Sequence, residues 1–239
     1  GCAIFGPALV PHDPFADDLM NSLMPPSSDH WFGTDQLGRD IFARMMKGGQ
    51  VSLAVGIVAM ILSVFLGTLI GVLAGYFRRA DGLLMRLTDL FLALPLLPLL
   101  LVMSMLFRQP LSTIFGVETG IFLLIVTAIA LTSWMRTARV VRGDVLALKE
   151  REYVLAARSI GTPPRRLIMR HILPNVLSPV MVSATLMLAT AIITESALSF
   201  LGMGFPPDFP TWGRLVADGV DYLQQYPERV IWPGVAISL

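Results

Sequence analysis

Glu195 is the acidic side chain placed deepest within a long apolar run, residues 176–201. A carboxylate is costly to bury in such a run, so its presence indicates a specific partner. One hypothesis is that Glu195 and Ser199 line the path of a solute and contact its amino group or polar backbone. The alternative is that Glu195 accepts hydrogen bonds from a neighbouring helix and serves packing.

Residue patterns typical of enzymes are missing from the sequence. It contains no GxxxxGK[ST] phosphate-binding loop, no HExxH pair, no Cys-His cluster and no Ser-His-Asp order. Cys2 is the sole cysteine, which excludes an intrachain disulfide. His30 with Asp29 and Asp35 could ligate a metal, but one histidine among carboxylates is weak evidence. We therefore predict that the chain is not an enzyme and holds neither a metal nor a cofactor of its own.

Composition places these residues in a membrane. Of 239 residues 54% are apolar and 15% are charged, and the mean hydropathy is +0.69, which is typical of an integral membrane protein. The apolar runs are long enough for helices, whereas barrel strands would alternate over about ten residues. The sequence thus predicts an all-α membrane protein.

Six transmembrane helices are predicted, the first and last truncated. Complete spans are expected at 51–77, 90–107, 120–135 and 176–201, with the tail of a first helix at 1–10 and the beginning of a last one at 230–239. Residues 11–50 are predicted to form an extramembrane loop, 51–239 the transmembrane domain, and 108–119 a short loop. Pro95 and Pro98 are expected to kink the second complete span.

Small residues repeat every four positions in the first complete span. Gly67, Gly71 and Gly75 share one helix face and would let a second helix approach closely. This pattern predicts a packing surface rather than a chemical site.

A basic segment, residues 152–175, interrupts the apolar runs; we call it the elbow. Good helix formers lead to Gly161, which can end a helix in the left-handed conformation. Thr162 is predicted to cap a second helix that begins at Pro163. Charged and apolar side chains alternate along both arms, so the elbow needs a protein partner outside the membrane. A solvated basic loop that only sets topology would not explain the glycine and proline positions.

Arginine and lysine residues are unevenly distributed between the loops. Twelve of them fall on the side of the elbow and six on the other side, and this excess predicts that the elbow is cytoplasmic. The loops at 11–50 and 202–229 would then face outward, and both ends of the chain would lie in the cytoplasm. No nucleic-acid partner is predicted.

The elbow resembles the EAA loop of binding-protein-dependent ABC importer permeases, through Ala156-Ala157, Gly161 and Leu173-Pro174. The resemblance implies a type I importer fold in a bacterial inner membrane, with the elbow's short helix seated in a groove of an ATPase subunit. The sequence departs from the family pattern at Leu155, where glutamate is usual, and at His171, where an apolar residue is usual. The ATPase-coupling residues carried over are Glu152, Leu155, Ala156, Ala157, Arg158, Gly161 and Pro174.

Two further segments resemble the dipeptide and oligopeptide branch of these permeases. They are HWFGTDQLGRD at 30–40 and ESALSFLG at 195–202. Asp35, Arg39 and Asp40 in the first can form a charged hydrogen-bonded knot. The resemblance implies a second homologous permease, two ATP-binding subunits that hold ATP and Mg²⁺, a periplasmic solute-binding protein and surrounding lipid as partners.

Peptide, nickel and glutathione importers share these segments, so the sequence leaves the solute open. A rival class is the ion-coupled secondary transporter, which should show broken helices around a midplane ion site and an internal repeat; neither is visible. A membrane scaffold without transport is a third hypothesis, opposed only by the resemblance of the elbow.

Overall fold

The computed structural model describes residues 12–238, so the predicted helix tail at 1–10 lies outside the described residues. The described part of the chain is helical and contains no strand, apart from an isolated antiparallel bridge between Thr34 and Asp40. The prediction of an all-α membrane protein is confirmed.

Nine α-helices follow a short 3-10 turn at Leu19–Asn21 within the described residues. They are α1 Ile41–Tyr76, α2 Arg78–Ala93, α3 Leu96–Phe115, α4 Val117–Lys149, α5 Glu152–Ser159, α6 Pro164–Leu167, α7 Leu173–Phe200, α8 Trp212–Val220 and α9 Glu228–Ser238. A π-helical segment, Ile168–Ile172, joins α6 to α7.

Four helical stretches in the described range are long and apolar enough to cross a bilayer. They are Ile41–Tyr76, Leu96–Phe115, Val117–Lys149 and Pro164–Phe200. Each differs in its bounds from the prediction, because the helices continue into polar sequence beyond the apolar runs. The predicted loop at 108–119 was wrong, since α3 extends through Arg108 to Phe115 and α4 follows after Gly116 alone.

Pro95 separates two helices instead of kinking one. Leu94 is extended, with φ −75° and ψ 135°, as the steric demand of a following proline requires. Pro98 lies in the first turn of α3, where its missing N–H costs no intrahelical hydrogen bond. The predicted span at 90–107 therefore combined the end of the amphipathic helix α2 with the beginning of α3.

The chain divides into two compact units. The first comprises the described residues of Gly1–Ile57, Leu101–Ile125 and Ala191–Leu239, and the second comprises Val58–Leu100 and Val126–Thr190. In the first unit the Asp35–Arg39 part of the predicted knot is present, with Arg39 Nε donating to Asp35 Oδ2 at 2.8 Å, whereas the Asp40 carboxylate faces His12 and His30 instead. The same unit contains a buried cluster formed by Met45, Met46 and Leu215.

The core of the second unit is a column of branched side chains from α1, α4 and the segment that begins α7. Its members are Val72, Val141, Val145, Ile172, Val176 and Val180. The glycine face of α1 lies against α4 in this unit. A Cβ at Gly67 would lie 2.7 Å from Thr137 Cβ, and one at Gly75 would lie 2.7 Å from Val145 Cβ, so only glycine permits this approach.

Two ion pairs join α2 to α4 in the second unit. Arg142 donates to Asp81 through Nε and Nη2, with Nη2 to Oδ2 at 2.7 Å, and Arg139 pairs with Asp89 at the surface. The hydrogen bond from Arg142 is the main reason why the pKa of Asp81 lies below its usual value.

We expect the stability of the protein to fall in acid partly through Asp81. A carboxyl whose pKa is lowered by folding stabilises the native state above its unfolded pKa of about 3.9, and this contribution is lost as the pH falls through the folded value. Because the pair is partly exposed, the loss should be at most about 1 kcal/mol. The measurement is Tm between pH 7 and pH 3 for the unmodified protein and for Asp81→Asn.

The Asp81→Asn protein should already be less stable at pH 7 and lose less on acidification. Asp208→Asn is the control, since Asp208 is exposed and makes no described ion pair. An acid-induced loss equal in Asp81→Asn and the unmodified protein would contradict this assignment.

Candidate functional site

The elbow folds as two helices joined by a left-handed glycine. Gly161 has φ +82° and nothing lies within 4 Å of a Cβ built on it, so its conformation rather than space calls for glycine. The Gly161 N–H donates to Arg158 O at 3.0 Å and the Thr162 N–H to Ala157 O at 3.2 Å. This pair of bonds is a Schellman motif, which ends α5 and fixes the angle of the turn.

The second helix begins one residue later than predicted. Pro164 occupies the first helical turn and Pro163 is the N-cap, with no side-chain capping bond. Thr162 does not cap it, because the extended residue that takes the N-cap position is Pro163, with φ −66° and ψ 149°. The predicted capping role of Thr162 was therefore wrong.

The elbow's inner face is buried and its outer face carries large apolar side chains. Val154 and Leu167 are buried, and they attach the two arms to the second unit. On the outer face Leu155 is 42% exposed and Ile160 is 84% exposed. Among the predicted coupling residues, Glu152, Ala156, Arg158, Gly161 and Pro174 are exposed and Ala157 is half-buried.

A continuous helical path connects the elbow to the membrane. Pro164–Phe200 forms one stretch of 37 residues, in which the π-helical segment precedes Pro174. Proline at 174 has no N–H for the carbonyl of Arg170 and its ring would clash there, and a π-helical turn relieves both problems. The helix therefore continues through Pro174 without a break.

The same helix forms one wall of a cavity in the second unit, of about 340 Å³. Its lining is mostly apolar with several hydroxyl groups: Phe91, Leu92, Leu94, Leu96, Leu99, Thr132, Ser133, Met135, Arg136, Thr137, Val140, Ser183, Leu186, Met187 and Thr190. The sequence analysis did not predict this cavity. The hydroxyl residues within the apolar runs were the one feature of the sequence that could have indicated it. Leu167 in the elbow and Ser183 in the wall are separated by ~24 Å of helix at 1.5 Å per residue.

Glu195 lies inside the first unit and is fully buried. Its Oε2 accepts a hydrogen bond from Ser52 Oγ at 2.9 Å, and its Oε1 accepts one from Ser199 Oγ at 2.6 Å. Thr211, the N-cap of α8, is a third hydroxyl partner. Ser52 Oγ in turn accepts the Trp212 N–H at 3.3 Å.

The carboxylate of Glu195 therefore joins the N-terminal third of α1, the end of α7 and the beginning of α8. Neither Glu195 nor Ser199 lines the cavity described above or the smaller one beside Phe205. This arrangement favours packing over contact with a solute.

We expect Glu195→Gln to retain both stability and transport. The amide keeps one acceptor oxygen, and its NH₂ can donate to a hydroxyl that turns to accept. Glu195→Leu should lower the unfolding free energy by about 1–3 kcal/mol, because buried hydroxyls lose their acceptor. Tm and solute uptake, measured on the same preparations, test this. Loss of uptake in an intact Glu195→Gln assembly would instead support solute contact.

Comparison with known proteins places this architecture in a family. The model of the family described as "binding-protein-dependent transport system inner membrane component" matches residues 65–239. The chain belongs to this family. The match covers the glycine face, the elbow and the cavity wall of this permease.

Relatives with curated names are similar over nearly the whole permease chain. The oligopeptide transport system permease protein OppC of Bacillus subtilis is 39% identical over 99% of this chain and 74% of its own length. The dipeptide transport system permease proteins DppC of Bacillus subtilis and of Alkalihalophilus pseudofirmus are 38% and 39% identical, over 99% of this chain and 71% and 75% of their own lengths. The predicted resemblance to the peptide branch of importer permeases is confirmed.

Proposed function

We propose that this permease is the membrane subunit of an ATP-driven importer of dipeptides or short oligopeptides, and that the elbow receives the ATPase. The observation that carries the proposal is the exposed apolar surface of Leu155 and Ile160 on a rigid, basic turn. The exposed arginines keep this turn out of hydrocarbon, and exposure of its apolar side chains to water is unfavourable. A groove in a cytoplasmic protein satisfies both the apolar and the charged groups.

Mechanical coupling follows from the continuity of the helix. A force on α6 is transmitted by the backbone hydrogen bonds of Pro164–Phe200 to Ser183, Leu186 and Met187 in the cavity wall. The buried column around Ile172 and Val176 holds this helix against α1 and α4. Movement of the elbow by an ATPase would therefore change the shape of the cavity.

We propose the cavity as part of the solute path. Its mixed lining suits peptides, since apolar walls accept varied side chains while hydroxyl groups bond to the peptide backbone. The names of the relatives support a peptide as the solute. The same arrangement could accept glutathione or a chelated nickel ion, which are the alternatives within the family.

The permease would act with a second, homologous permease, two ATP-binding subunits that hold ATP and Mg²⁺, and a periplasmic solute-binding protein. The distribution of basic residues supports a cytoplasmic elbow in the bacterial inner membrane. In that orientation the loops at 11–50 and 202–229 would offer the periplasmic docking surface.

The decisive experiment is transport by the whole assembly in proteoliposomes. We expect uptake of a labelled tripeptide that requires ATP, Mg²⁺ and the solute-binding protein, and that competes with unlabelled peptides. Glutathione and Ni²⁺ are tested as competitors to separate the alternatives. Uptake that follows an imposed proton or sodium gradient without ATP would replace the proposal with an ion-coupled transporter.

Filling the cavity should block transport without dismantling the assembly. Ser183→Trp places an indole in the cavity wall and is expected to reduce tripeptide uptake at least about tenfold, because the solute loses its space. Ser183→Ala, which adds no volume, should transport at close to the unmodified rate. ATPase co-purification must persist in both variants, and normal uptake by Ser183→Trp would remove the cavity from the path.

A further inference from the structure

Two histidines and an aspartate converge at the N-terminal end of α1, in the first unit. His12 Nδ1 lies 3.2 Å from Asp40 Oδ2, and His30 Nδ1 lies 3.7 Å from the same oxygen. One ligand atom from each residue lies within 4.8 Å of the other two. This group differs from the sequence hypothesis of His30, Asp29 and Asp35, because Asp35 is bonded to Arg39 instead.

His30 Nδ1 is a buried atom with no hydrogen-bond partner. An imidazole nitrogen buried without a donor or acceptor loses the hydrogen bonds that water would supply, which is unfavourable. The atom faces Asp40 from beyond hydrogen-bond distance, at 3.7 Å. An atom placed between the two groups would satisfy both.

Two of the three separations between ligand atoms match those found around a metal ion. With bonds of about 2.0–2.2 Å, two ligands of a tetrahedral Zn²⁺ ion lie about 3.4 Å apart. The two measured separations, 3.2 Å and 3.7 Å, fall on either side of that value. Two imidazoles and one carboxylate are a ligand set that zinc accepts, with water in the fourth position.

Two of the three ligands are held in place by the surrounding structure. Asp40 Oδ1 accepts the Phe42 N–H at 2.9 Å, which leaves Oδ2 for another partner. Asp40 also forms the isolated bridge with Thr34. The His30 N–H donates to Ser27 Oγ at 3.0 Å, and the His30 carbonyl accepts the Gly33 N–H at 2.9 Å. These contacts fix the Asp40 carboxylate and the backbone of the loop that carries His30.

We propose that His12, His30 and Asp40 form a binding site for a borderline divalent cation, with Zn²⁺ as the best match. The bound ion would fasten the segment at His12 to the beginning of α1. The ring centroids of His12 and His30 are 4.7 Å apart, so both imidazoles lie beside the same carboxylate. This site is independent of the proposed transport function.

The test is Zn²⁺ titration calorimetry on the intact assembly, stripped with a chelator and purified in detergent. The chain has three histidines, and the third, His171, lies in the elbow and is not one of the proposed ligands. His171→Gln is therefore the matched control for His12→Gln and His30→Gln. We expect one site per permease chain that is weakened roughly tenfold or more in the His12 and His30 variants and unchanged in His171→Gln. Cobalt(II) added in place of Zn²⁺ should give the intense visible absorption of a four-coordinate ion only when His12 and His30 are both present.

The Tm of each variant in the absence of metal should equal that of the unmodified protein, which shows that the variant is folded. Two ligand variants are used so that the misfolding of one would not decide the result. Zinc should also raise the Tm of the unmodified protein and of His171→Gln alone. Equal Zn²⁺ binding by all three variants, or no binding by the unmodified protein, would overturn the site.

Discussion

Replacing both Leu155 and Ile160 with aspartate is expected to abolish co-purification of the ATPase subunits and ATP-driven peptide uptake. Both side chains are exposed in the permease chain, at 42% and 84%, so the substitutions leave its own core intact. In the proposed complex they are buried in the ATPase groove. Burial of such side chains contributes about 1.5–3 kcal/mol each, and buried carboxylates would add a further cost.

A loss of about 4 kcal/mol corresponds to roughly a thousandfold weaker Kd. Affinity purification of the tagged permease, with the amount of ATPase quantified per permease chain, measures this directly. Uptake in proteoliposomes should fall in parallel, since the ATPase would no longer transmit force to α6.

Met20→Asp is the matched control for this experiment. Met20 is 95% exposed in the 11–50 segment, so the variant makes the same kind of change on a surface assigned to the opposite side of the membrane. It should co-purify with normal amounts of ATPase. If the double variant retains the ATPase as well as Met20→Asp does, the elbow is not the docking site and the proposed function loses its main support.

Gly71→Leu is expected to destabilise the second unit strongly. A Cβ at this position would lie 2.6 Å from Ala138 O and 2.7 Å from Val141 Cβ, both of which belong to α4. Because backbone and branched side chains cannot move aside, α1 and α4 would have to separate. Overpacking of this kind costs about 1–3 kcal/mol, and a backbone clash places the expected loss at the upper end.

For a chain of this size each kcal/mol shifts Tm by about 2–4 °C, so a decrease of several degrees is expected in detergent. Gly143→Leu is the control, because Gly143 lies on α4 with nothing within 4 Å of its Cβ position. Its leucine should be neutral or slightly stabilising, since leucine is the better helix former. Equal Tm values for the two variants would mean that the glycine face does not control the approach of the helices.

Local sequence predicted those features that depend on near neighbours in the chain. Long apolar runs predicted membrane helices, because hydrocarbon requires every backbone hydrogen bond to be satisfied within the segment. Gly161 follows a run of good helix formers, and this position predicts a left-handed residue that ends the helix. Its φ is +82°. The Asp35–Arg39 contact is likewise a local one, between residues four positions apart.

Helix bounds were predicted less well, for a physical reason. A prediction from apolar runs ends each span where the sequence becomes polar. Helices α1, α3 and α4 continue into polar sequence, because their hydrogen bonds join backbone groups within the helix and do not require apolar side chains. Pro95 was predicted to kink one helix but separates two, because the residue before it is held in an extended conformation.

The sequence by itself determined the class of this protein: a helical membrane permease with a basic, partner-seeking elbow and a helix face made for close packing. Only the tertiary structure decided which distant residues meet. It placed the hydroxyls of Ser52 and Ser199 against Glu195, formed a cavity with α7 as one of its walls, and brought His12 beside Asp40. Sequence spacing encodes the period of a helix, but contacts between helices depend on how side chains far apart in the chain fill a shared volume.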